Sequence, residues 1–144
     1  MRPLAEARRQ LVEAAGLPAL LAAALSSFEA MRTEIHEQED KAGPGFAAFA
    51  LAGVSVAGGW HAIVAAPSLP PAVSWEDEPT RPTQPAGLDE AQAAAELAGL
   101  AQLVASRLDQ AMAQAASPGD RQACQDGSRH AAAVCTRLGV PTRP

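Results

Sequence analysis

The chain has 144 residues, 48% of them hydrophobic, and a formal net charge of −5. That length is one domain's worth, enough to bury roughly two-thirds of the unfolded chain's surface on folding. The acidic balance argues against a general nucleic-acid partner, and 2 cysteines are too few for a disulfide scaffold.

Ala dominates the hydrophobic set and Tyr is absent. Ala has the best helix propensity, and no alternating Val, Ile or Thr run reads as a strand. The expected class is all-α, a bundle of four to five helices. Its ten Arg and single Lys suit a GC-rich bacterial genome rather than a particular chemistry.

The first helix is expected from Pro3, a residue suited to a first turn, to a stop at Gly16. Glu6, Arg8, Arg9 and Glu13 interrupt its apolar pattern, so it does not read as a signal peptide, and a cytoplasmic protein is expected. The second helix begins near Pro18. Leu21, Leu25, Phe28, Met31 and Ile35 share one of its faces, and it ends in the acidic string EIHEQED before KAGPG breaks it.

Residues 46–66 hold no formally charged side chain. Phe46, Phe49, Gly53, Val56, Trp60 and Ile63 form a bulky stripe; Ala48, Ala52, Ser55, Gly59, Ala62 and Ala66 form a smooth one that a neighbouring helix can approach closely. With no polar face left over, this third helix is expected at the centre of the bundle, enclosed by the others. Three features argue against a membrane span. Gly53, Gly58 and Gly59 each weaken a helix by about 1 kcal/mol relative to Ala. His61 lies well inside the stretch. Lys41 is the only cation near either end before Arg81, so no orientation is specified.

Residues 67–87 contain six of the chain's 12 prolines and read as an extended connector. It is long for a compact domain, and Trp75 within it is expected to dock on its own domain or on a partner. Its PTRPTQP run can adopt polyproline II, although a plain spacer accounts for it more simply. The fourth helix opens at Asp89 with Gln92 three residues on, a capping box. Leu97, Leu100, Val104, Leu108, Ala111 and Ala115 form its buried stripe. The fifth opens with Ser117 as cap, Pro118 in the first position and Asp120 reaching back, and closes at Gly139 and Pro141. One domain is expected: N-terminal helices over 1–66, connector over 67–87 and a helical hairpin over 88–144.

Motifs for chemistry are thin. His36, Glu37 and Asp40 occupy the spacing of the zinc-peptidase HExxH helix, with Asp in place of the second His. The string abuts GPG and has no evident third ligand, so a solvated acidic terminus is the simpler reading. A di-iron site of the ferritin type needs Glu three residues before His, and Thr33, Gly58 and Gly127 stand there instead. Cys124 and Cys135 share a face of one helix about 16 Å apart, too far to pair with each other. They are expected as small buried residues. No GxSxG elbow and no phosphate loop occur.

These readings favour a non-catalytic interaction or assembly protein, a subunit of a homo- or hetero-oligomer, with no cofactor, nucleic acid or membrane implied. The alternative is a small-molecule-binding bundle with a pocket near Trp60, His61 and Trp75. A metal-assisted enzyme using His36, Glu37 and Asp40 is the third.

Overall fold

The computed structural model describes residues 3–41, 43–70 and 88–139. Expectations for Trp75, for PTRPTQP and for Pro141 lie outside the described residues. Within them the chain is all-α: α1 (Pro3–Glu13), α2 (Leu17–Asp40), α3 (Phe46–Val64), α4 (Glu90–Gln114) and α5 (Pro118–Arg137), with no strand.

The helix ends follow local chemistry. Gly16, between α1 and α2, takes a left-handed φ of 86° that an L side chain disfavours, and Gly139 does the same after α5 at 72°. Asp89 and Gln92 close the expected capping box on α4, the Asp89 carboxylate accepting from Gln92 N at 2.8 Å and the Gln92 side chain from Asp89 N at 3.2 Å. Ser117 caps α5 by accepting from Asp120 N. The expectation for the Asp120 side chain needs correction. It does not reach back to its own helix end but accepts from Ser68, at 2.9 Å from the backbone N–H and 2.5 Å from the hydroxyl.

α2, α3, α5 and α4 pack in a ring, each against its two neighbours, and α1 covers the α2–α4 side. The core is continuous through this ring, with Leu21, Phe28, Met31, Ile63, Leu97 and Leu108 fully buried. Close helix contacts rest on small residues. A side chain at Gly127 of α5 would meet Ile63 and Leu108 at 2.9 Å, and Gly59 of α3 is covered by the Phe28 ring.

Two sets of polar contacts fix the directions of the helices. At one end, Gln38 Nε2 and Lys41 Nζ donate to Leu88 O at 3.0 and 2.6 Å, and Gly45 N donates to Glu90 Oε2 at 2.8 Å. The end of α2 and the starts of α3 and α4 therefore meet there. At the other end, Ser68 after α3 is tied to Asp120 at the start of α5. So α3 and α4 run in the same direction, and α2 and α5 oppose them. A bundle with two successive parallel helices needs one long crossover, which explains the long connector. Residues 70 and 88 therefore stand at opposite ends of the bundle, separated by about the length of α3, whose 19 residues span about 28 Å.

The placement of α3 differs from the expectation. It is a corner of the ring, not its centre, and only 33% of its most apolar window is buried. The smooth stripe is packed as expected, with Ala52, Ser55 and Gly59 buried, and so are Phe49, Val56 and Ile63 of the bulky one. What the wheel also contains is a third face, apolar and uncovered by the described residues.

Candidate functional site

That third face follows from helical spacing. Ala47, Leu51, Val54, Ala57 and His61 succeed one another at three- and four-residue steps on the outside of α3, flanked by Phe46 and Val64. Val54 is its centre, 72% exposed, with Leu51 at 50%, Phe46 at 46% and Val64 at 44%. Four large apolar side chains on one uncharged helix cannot be hydrated favourably. At about 25 cal/mol per Å² of apolar surface, covering them is worth several kcal/mol.

Between this face and α2 runs a groove of about 460 Å³, floored by Phe28, Ile35, Gly53 and Val56. Its depth comes from Gly53, which presents no side chain to Ile35 and Glu39. The helices are antiparallel here, so Trp60 lies level with Glu29 and Gly53 level with residues 35–39. Arg32, His36 and Glu39 form the α2 rim, and Trp60 and His61 close the groove at one end.

The expected pocket residues are thus partly brought together. Trp60 is half-buried, its indole Nε1 donating to Glu29 Oε1 at 3.2 Å, which fixes the ring across the groove. His61 stands edge-on to it, ring centroids 5.1 Å apart, and is exposed at the edge of the open face. Trp75 lies outside the described residues. On the rim, Arg32 Nε donates to His36 Nε2 at 3.4 Å, and His36 Nδ1 stands 3.7 Å from Glu39.

His36, Glu37 and Asp40 do not form a metal centre, and among the described residues no group of three or more His, Cys, Asp or Glu is placed to hold one. The string EIHEQED is nevertheless not the solvated terminus expected. Glu34 is 4% exposed and Gln38 is fully buried beside the segment that leads into α4. Gln38 Nε2 donates to Glu34 Oε2 at 3.0 Å, while Gln38 Oε1 and Glu37 Oε1 are buried without a hydrogen-bond donor among the described residues. Burial pushes the Glu34 carboxyl above its ordinary range, with the charges of Glu37 and Glu96 adding and Gln38 and Lys41 opposing. The spacing held the clue: Gln38 continues the buried face of Met31 and Ile35 by helical steps.

Cys124 and Cys135 are free and buried, as expected. Burial pushes both thiols up, and Cys135 Sγ donates to Ala98 O at 3.4 Å. Such thiols are packing groups, not nucleophiles.

The chain matches no known protein-family model, no curated protein and no solved structure. The reading of its function therefore rests on the α3 face and the groove beside it.

Proposed function

We propose that this chain is a non-catalytic helical assembly protein, cytoplasmic and without a nucleic-acid partner, that docks through the outer face of α3 and the groove shared with α2. The observation that carries this reading is the stripe of exposed apolar side chains around Val54. Single exposed apolar residues are ordinary, but a contiguous stripe on a helix with no charge of its own marks a contact surface. Light scattering over a dilution series, with Val54→Arg beside the parent chain, tests it. The parent should exceed monomer mass at high concentration or carry a co-purifying protein, and Val54→Arg should lose that association with its helix content unchanged. A strictly monomeric parent with no protein partner overturns the reading.

A second reading is favoured by the make-up of the groove. An apolar floor with Trp60, His61, Arg32 and His36 around it suits a flat apolar molecule bearing an anionic group. Titration of tryptophan emission with aromatic carboxylates tests it: quenching that Arg32→Ala weakens supports it, and unresponsive emission overturns it.

A further inference from the structure

We infer that the occupant of the α3 face is a second copy of this chain, seated antiparallel about a two-fold axis at Val54. This rests on the assembly reading and adds the partner and its geometry.

An antiparallel two-fold pair keeps like flanks together, so the α2 side of one copy faces the α2 side of the other. With Val54 on the axis, the steps of the helix bring Leu51, on the α5 side, beside Gly58 of the second copy, where the His130 ring of that copy covers the glycine. On the α2 side, Ala50 comes beside Ala57 of the second copy. Along the α2 flank small residue therefore meets small residue, which lets two helix backbones approach closely.

The α2 rim carries Arg32 level with Ala57 and Glu39 level with Ala50. Turning one copy over places each Arg32 opposite Glu39 of the second copy, and the pair occurs twice by symmetry. In a parallel arrangement the two α2 rims lie on opposite flanks and neither pair forms.

A strip two helices wide, each about 10 Å across and about 28 Å long, offers about 560 Å² per copy, or about 1,100 Å² in total. That sits at the lower edge of specific interfaces, so the dimer should be reversible and should dissociate on dilution.

Charge reversal and cysteine placement together test the geometry. Arg32→Glu alone and Glu39→Arg alone should each weaken self-association by about tenfold, because each sets like charges face to face at both rims. An equimolar mixture of the two variants should regain the parent's association, since every Arg then meets a Glu. Val54→Cys should form an intermolecular disulfide faster than Leu51→Cys, the native Cys124 and Cys135 being buried. Association in which the mixture gains nothing, or in which Leu51→Cys links as fast as Val54→Cys, overturns the two-fold geometry and leaves the assembly reading standing. A monomeric parent overturns both. In that case rapid maleimide labelling of Val54→Cys shows a bare face, slow labelling shows the chain's own connector covering it, and labelling slowed only by anionic vesicles shows a membrane surface as the occupant.

Discussion

Gly59 of α3 lies directly beneath the ring of Phe28 of α2, with no room for a methyl group between them. This contact decides how closely the two walls of the groove approach, because Phe28 is fully buried and has nowhere to turn.

Gly59→Ala sets two effects against each other. Alanine favours a helix interior by about 1 kcal/mol, but an overpacked core residue costs about 1–3 kcal/mol. With an aromatic ring in the way, the loss should win, and the variant should unfold at lower urea concentration than the parent. Gly99→Ala in α4 is the contrast. Its new methyl would meet only the mobile end of Arg8, at 3.4 Å. The helix term then stands nearly alone, and chemical denaturation should show a gain of about 0.5–1 kcal/mol.

Asp120 joins the end of α3 to the start of α5 and is 2% exposed. Asp120→Ala leaves the Ser68 N–H and hydroxyl without their acceptor, and the start of α5 loses a negative charge that its helix dipole favours. A loss of about 2–3 kcal/mol is expected. Asp120→Asn, which keeps one acceptor, should recover part of it. Equal losses for both substitutions would show that the negative charge matters more than the hydrogen bonds.

Glu34 has its folded-state pKa raised by burial, so between its unfolded and folded values the native state binds more protons than the unfolded state. Its contribution is therefore complete below the unfolded pKa and is lost as pH rises through the folded pKa. Glu34→Gln keeps an acceptor for Gln38 and removes the charge. It should melt above the parent at pH 7, and the difference should shrink toward pH 4. A difference independent of pH would place the effect in packing.

The thiols of Cys124 and Cys135 should react with a disulfide reagent only as fast as the domain opens. Labelling should be slow in buffer and complete in denaturant, and it should speed up in Gly59→Ala if that variant is destabilised as expected.

Much of this architecture was legible because its signals are local. The box at Asp89 and Gln92, the glycine at 139 and the stripe from Leu97 to Ala115 depend on neighbours within a turn or two, and all were realised. The apolar spacing of α3 told which of its side chains prefer to leave water but not what covers them. A helix apolar on every side reads as enclosed, yet this one stands at a corner with a face still open. Asp120 was misread for a related reason: its partner, Ser68, lies 52 residues away, and no capping pattern carries such information. Gln38 and Glu34 were hidden by their acidic company, although their spacing continued the buried face. Of the candidate site, Trp60 and His61 were visible as aromatic and ionisable groups in an apolar run. Arg32 and Glu39 gain meaning only once α2 is laid beside α3.

The parallel course of α3 and α4 also limits how far evolution or an engineer can trim this chain. At about 3.3 Å per extended residue, a bridge of fewer than about nine residues cannot climb the height of the barrel of helices. Below that limit the hairpin formed by α4 and α5 can no longer fold back onto its own α2 and α3. It would have to complete the bundle of a neighbouring chain, and a shortened variant should be recovered as an exchanged, intertwined pair.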